Sequence, residues 1–121
     1  MKNIIKWLVI TLVPLLPTLS FATLRPFTSN DCAALAMPKT VLLVHASWCS
    51  HCKAFLPVYE RVSNQEKYRD WIFYQMVNDK FEKVCGTTIR GVPATFKNNM
   101  SNNLLGNRPQ TVLEEFLDTN V

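Results

Sequence analysis

Apolar residues fall along this chain in a few short blocks, and the spacing inside each block separates strands from helices. Thr40-Val41-Leu42-Leu43-Val44-His45 is a nearly unbroken apolar and β-branched run, the pattern of a central strand covered on both faces. Trp71-Ile72-Phe73-Tyr74-Gln75-Met76-Val77 makes a second such run. Between them, from Cys49 to about Gln65, the period changes. Ala54, Phe55, Val58 and Val62 recur at helical spacing, with Glu60, Arg61 and Asn64 in polar positions. Pro57 lies inside that helix, removes one backbone donor and predicts a kink.

Weaker signals fill in the rest. Thr23 to Thr28 reads as a short edge strand limited by Pro26, and Ser29 or Asn30 can cap a brief helix over Asp31–Ala36 that Pro38 stops. Asp79 to Val84 is expected to be a short helix. Ala94-Thr95-Phe96 reads as a strand entering a turn at Asn98-Asn99, and Asn102-Asn103-Leu104-Leu105 as its weaker partner. Asn107-Arg108-Pro109 opens a last helix with Val112, Leu113, Phe116 and Leu117 on its apolar face. Strands bracketed by helices, with no repeat or long linker, predict one α/β sandwich.

The first residues follow a different logic. Met1, Lys2 and Lys6 make a basic start, Trp7 to Pro17 is almost wholly apolar, and Ser20 and Ala22 place small side chains before a cut after Ala22. That order is a secretory signal peptide, so residues 1–22 are read as an export segment and residues 23–121 as one domain. The rival is a retained membrane anchor, but Pro14, Pro17, Thr18 and Ser20 dilute the run below what a bilayer span wants. Lys2 and Lys6 supply part of the net charge of +4, and the remaining basic residues are scattered rather than clustered. Nucleic acid is therefore not an expected partner.

All four cysteines, Cys32, Cys49, Cys52 and Cys85, lie beyond the export segment, where an oxidising compartment lets disulfides persist. Four cysteines allow three complete pairings, and spacing alone does not choose among them. Cys49-Ser50-His51-Cys52 is nevertheless the sharpest feature of the chain. On the first turn of a helix two sulfurs so spaced can close or open a disulfide, and the exposed backbone donors and helix dipole favour a thiolate on Cys49. Cys49 is then the nucleophile and Cys52 the resolving sulfur. Ser50 leaves the turn uncrowded. His51 can bring positive charge or a hydrogen bond to the Cys49 sulfur, which stabilises the reduced form and makes the oxidised pair a stronger oxidant.

Two blander readings stand beside this one. The pair can be half of a zinc site completed by Cys32, Cys85, His45 or His51, though the spacing does not match a zinc ribbon and no metal is expected. It can also be an inert structural bridge. Trp71, Phe73, Tyr74, Phe81, Phe96 and Phe116 read as packing residues, whereas Trp48, adjoining Cys49, is placed to shape a shallow apolar recognition surface.

The segment Val44-His45-Ala46-Ser47-Trp48-Cys49-Ser50-His51-Cys52-Lys53-Ala54-Phe55-Leu56-Pro57 resembles the active-site segment of the thioredoxin superfamily, and protein disulfide isomerase domains in particular. The likeness resumes at Ile89-Arg90-Gly91-Val92-Pro93 and ends at Glu114-Glu115-Phe116-Leu117-Asp118. The resemblance implies a three-layer α/β sandwich with a central mixed sheet, an abbreviated N-terminal part and a cis-proline loop. It implies that Pro93 is the cis-proline beside the cysteines, that Trp48 and the Val92 backbone help bind an extended substrate, and that Pro57 bends the active-site helix. It also places Cys32 and Cys85 on the same side of the sheet, where they can form a structural disulfide; free thiols remain the alternative.

Two departures matter. Leu43 occupies the place where relatives commonly keep a buried acid that serves the resolving cysteine, and the stretch Pro93–Asn99 is about two residues short. His45 stands where an aromatic residue is common, and reads either as a substrate contact or as a polar strand end.

The expected function is thiol-disulfide exchange on the cysteines of exported proteins, with oxidase or isomerase work favoured. The alternative is a redox-sensitive polypeptide-binding module with little turnover. No nicotinamide or flavin fingerprint is present, so electrons pass to or from a soluble or membrane redox partner. A short signal on a compact chain favours the periplasm; the endoplasmic reticulum lumen, extracellular release and an N-terminal anchor are the alternatives, and Asp118-Thr119-Asn120-Val121 is no retention signal.

Overall fold

The computed structural model describes residues 24–119. The export segment read from residues 1–22 lies outside the described residues. Within them no helix is long and apolar enough to cross a membrane.

Among the described residues five strands form one mixed sheet. They are β1 (Arg25–Pro26), β2 (Thr40–His45), β3 (Ile72–Val77), β4 (Ala94–Lys97) and β5 (Asn102–Leu105), in the order β1-β3-β2-β4-β5. β1, β3 and β2 run parallel, while β4 is antiparallel to β2 and β5 to β4. The two unbroken apolar runs thus become neighbours at the sheet centre, with Leu43 facing Gln75 on one side and Thr95 on the other. Asn98, Asn99 and Met100 all adopt left-handed backbone in the β4–β5 turn, a conformation that asparagine tolerates well.

Helices α1 (Ser50–Ser63) and α2 (Gln110–Asp118) cover one face of the sheet. Cys52, Phe55, Tyr59 and Val62 make the buried stripe of α1, so Tyr59 takes the central place expected of Val58, and Ala54 is exposed. Tyr59 is wholly buried and its hydroxyl donates to Tyr74 O at 2.7 Å, which satisfies it against the sheet. Burial pushes that hydroxyl well above its usual pKa. α1 is continuous through Pro57, which lacks the N–H that would have reached Lys53 O. At the far end Lys97, only 4% exposed, points Nζ at Phe116 O and Thr119 O and so occupies the orphan carbonyls where α2 stops.

The other face carries a thinner layer. Ser29–Ala36 is a 3-10 helix, capped by Thr28 rather than by Ser29 or Asn30. Thr28 N donates to Asp31 Oδ2 at 2.9 Å while the Thr28 hydroxyl serves the first turn, a reciprocal capping box. Leu35, Phe27, Leu42, Val44, Val84 and Ile89 pack here. The helix expected over Asp79–Val84 does not form. Phe81 is left-handed, Asn78 closes the loop by hydrogen bonding to Glu82 through both side-chain amide atoms, and the chain reaches β4 irregularly.

Candidate active site

Cys49 is the residue that caps α1. Its backbone is extended, and its sulfur accepts a hydrogen bond from Cys52 N at 3.1 Å. A sulfur in that position meets the positive end of the helix dipole together with a directed donor, the combination that stabilises a thiolate. Cys49 and Cys52 are joined in a disulfide with Cα atoms 5.2 Å apart, and the sulfurs sit in a small cluster with Ala46 and Val92. Cys49 keeps 5% of its surface and Cys52 only 1%, so an incoming sulfur can reach the first and not the second.

Across from Cys49, the Val92–Pro93 peptide is cis, and Val92 O lies 3.8 Å from Cys49 Sγ. β4 begins at the next residue, so the loop is held by the sheet on one side and approaches the cysteines on the other. Ser50 and His51 are exposed on the first turn of α1. Trp48 is 60% exposed beside Cys49. The structure therefore brings Trp48, Cys49, Cys52, Val92 and Pro93 together, with Ser50 and His51 on the rim.

His45 ends β2 half-buried, with Nε2 2.6 Å from Gln75 Oε1. It is a polar strand end tied to the neighbouring strand. Leu43 is fully buried among Phe55, Tyr59 and Phe73, an apolar setting with no carboxylate where the resemblance would have placed one. Cys32 and Cys85 are joined by a disulfide of 2.06 Å on the opposite face of the sheet from α1. Among the described residues no three His, Cys, Asp or Glu side chains gather as a metal ion would require.

Asp79 is the residue that sequence reasoning missed. Ser47 donates to its carboxylate twice, from the backbone N–H at 2.7 Å and from the hydroxyl at 2.8 Å. These bonds, the backbone one foremost, hold the Asp79 carboxyl below its usual pKa. The carbonyl of the same residue accepts from Trp48 Nε1 at 3.1 Å. Phe81, two residues on, rests against Trp48 with ring centroids 5.9 Å apart. One polar residue after a strand gives no sign in sequence that it braces a loop 32 positions earlier.

The chain is similar to known proteins along most of its length. The thioredoxin family model matches residues 28–119. A thioredoxin of Aspergillus fumigatus is 35% identical over 49 residues, 40% of this chain and 44% of that protein, so the alignment spans less than half of the relative. A thioredoxin of Mycoplasmoides gallisepticum is 29% identical over 83 residues, 65% of this chain and 81% of its own. Among solved structures, thioredoxin of Malassezia sympodialis superposes with a TM-score of 0.60 at 20% identity, covering 86% of this chain and 94% of that one. The short form of spinach chloroplast thioredoxin f gives 0.58 at 24% identity, covering 79% and 92%. At such identities these superpositions speak for the fold.

Proposed function

Since the chain belongs to the thioredoxin family of thiol-disulfide oxidoreductases, we propose that it exchanges disulfides with cysteines of exported proteins, working in the periplasm as an oxidase or isomerase. The observation that carries this reading is the Cys52 N–H aimed at the Cys49 sulfur at the mouth of α1. The same donor that touches a disulfide sulfur here remains in place to hold a thiolate once the bond is open, which favours release of the disulfide to a substrate.

As oxidant, the Cys49–Cys52 disulfide is attacked at Cys49 by a substrate thiolate; the internal bond breaks, a mixed disulfide forms, and Cys52 leaves as the thiolate. A second substrate thiolate then attacks the substrate sulfur of that bond. The substrate disulfide forms, Cys49 leaves, and two electrons have passed to the cysteine pair while the substrate thiols gave up their protons. As isomerase, the reduced pair opens a wrong disulfide through Cys49 and is expelled unchanged after the substrate rearranges. Trp48, the Val92 backbone and Pro93 line the approach and bind the substrate chain. His51, exposed on the first turn between the two cysteines, is placed to offer a hydrogen bond to a thiolate or to an incoming chain. A soluble or membrane redox partner resets the pair.

The isomerase-like character of Trp48-Cys49-Ser50-His51-Cys52 and the absence of an acid at Leu43 support oxidation or isomerisation over fast reduction. The export segment supports the compartment. The test is trapping. Cys52→Ser protein offered reduced, unfolded secretory substrates with an oxidant should accumulate a mixed disulfide on Cys49, and Cys49→Ser should accumulate none. Equal binding by both variants with no covalent adduct in either would favour a polypeptide-binding module instead.

A further inference from the structure

The loop after β3 is built at a cost that its packing does not explain. Phe81 adopts φ of 56°, left-handed backbone that a bulky side chain takes only when its surroundings impose it. The surroundings do so from both sides: Asp79 is fastened to Ser47 and Trp48, and Asn78 to Glu82. The ring so placed does not join the core. It remains 39% exposed and lies against Trp48, which is itself 60% exposed next to Cys49. An aromatic residue forced into strained backbone, kept in water and set beside the reactive sulfur is the pattern of a binding element.

The segments that carry Phe81 and the cysteines together bear more cations than anions. Lys80 and Lys83 flank Phe81, Lys53 follows Cys52, and Arg90 precedes Val92, all four exposed. Against these four stand the two carboxylates of Glu82 and Asp79, and the bonds from Ser47 keep the Asp79 charge rather than cancel it, so the rim is positive by the surplus of Lys53 and Arg90.

Resting on the exchange function above, we propose that Trp48 and Phe81 form an aromatic ledge for an aromatic side chain next to the substrate cysteine, and that the basic rim selects acidic segments. The occupant is an extended acidic polypeptide whose cysteine reaches Cys49 while its neighbouring ring lies on the ledge. Ring-on-ring contact fixes the register and the lysines steer the approach.

The test uses the oxidised protein and two peptides carrying serine in place of cysteine, Glu-Asp-Phe-Ser-Glu and Lys-Ser-Ala-Ser-Lys, so that binding is read without exchange. The acidic aromatic peptide should bind roughly two- to tenfold tighter, the range expected for one aromatic contact. Phe81→Gly should lose most of that preference, while its thermal midpoint stays or rises because glycine accepts the left-handed backbone. Lys80→Glu with Lys83→Glu should reverse the charge preference, and added salt should flatten it. Exchange with hydroxyethyl disulfide, which has no ring to place, should fall by a smaller factor in Phe81→Gly than binding of the acidic aromatic peptide does. Equal binding of both peptides, or a Phe81→Gly protein slowed equally toward hydroxyethyl disulfide, would overturn the ledge. A protein that binds with this preference yet never exchanges hydroxyethyl disulfide would support the ledge and contradict the function beneath it.

Discussion

Asp79 holds Ser47 by two hydrogen bonds, 2.7 Å to the backbone N–H and 2.8 Å to the hydroxyl, so the loop leading into Cys49 is braced by a carboxylate from the end of another strand. The bonds are stronger to the ionised form than to the protonated one. Because the folded-state carboxyl sits below its ordinary value, its contribution to stability is present above about pH 4 and is lost as pH falls through the lowered value. With Trp7 and Trp71 both replaced by phenylalanine, Trp48 emission should therefore change at acid pH, before the domain unfolds. Asp79→Asn should remove that step and slow exchange at neutral pH while leaving the far-UV spectrum intact. An acid step that persists in Asp79→Asn would assign it to another group.

Cys32–Cys85 closes a separation of 53 residues and ties the 3-10 helix to the irregular stretch that carries Val84 and leads to β4. On the loop-entropy argument, replacing both cysteines by alanine should cost about 4 kcal/mol, read as a shift in the denaturant midpoint. The pair lies on the opposite face from α1, so the folded variant should still exchange hydroxyethyl disulfide at Cys49. Loss of exchange in a variant that is still folded would show that this bond takes part in the chemistry.

Leu43 and Thr95 face one another in the buried centre of the sheet, and Thr95 Oγ1 has no hydrogen-bond partner among the described residues. Leu43→Asp would put a carboxyl into that apolar setting. It should lower stability by roughly 2–4 kcal/mol through lost packing and desolvation. In return it supplies a group that can take the proton of Cys52. Single-turnover release of a mixed disulfide by the reduced variant should be faster than in the natural protein and should acquire a new pH dependence. Unchanged release would mean that Cys52 gives its proton to solvent by a route that does not pass Leu43.

Where function depends on local pattern, the sequence was enough to find it. The runs around Val41 and Phe73 are too apolar for anything but central strands, and they lie side by side in the sheet. Cys49 and Cys52 stand where a helix of changed period begins, and the structure caps α1 with Cys49 itself. The errors came where a side chain is committed to one particular partner, near or far, that composition does not name. A short helix is expected over Asp79–Val84, but the Asp79 carboxylate is committed to Ser47, and Asn78 turns the chain back on itself. Thr28 captured the 3-10 helix one residue early through its pairing with Asp31, a reciprocal arrangement that competes evenly with Ser29 and Asn30 on composition alone. Phe81 counted as a packing residue, and only its contact with Trp48 reveals that it borders the site.

The most direct measurement is the equilibrium of the 49–52 bond with glutathione, with alkylation and mass spectrometry locating every disulfide at each poise. The helix-end donor on Cys49 and the His51 beside it predict a pair that is readily reduced, at about −180 mV or above, the range of disulfide donors and isomerases, while 32–85 stays closed throughout. A 49–52 bond that holds at about −270 mV, in the range of thioredoxin reductants, would contradict oxidation as its work, and one that never opens would contradict exchange altogether.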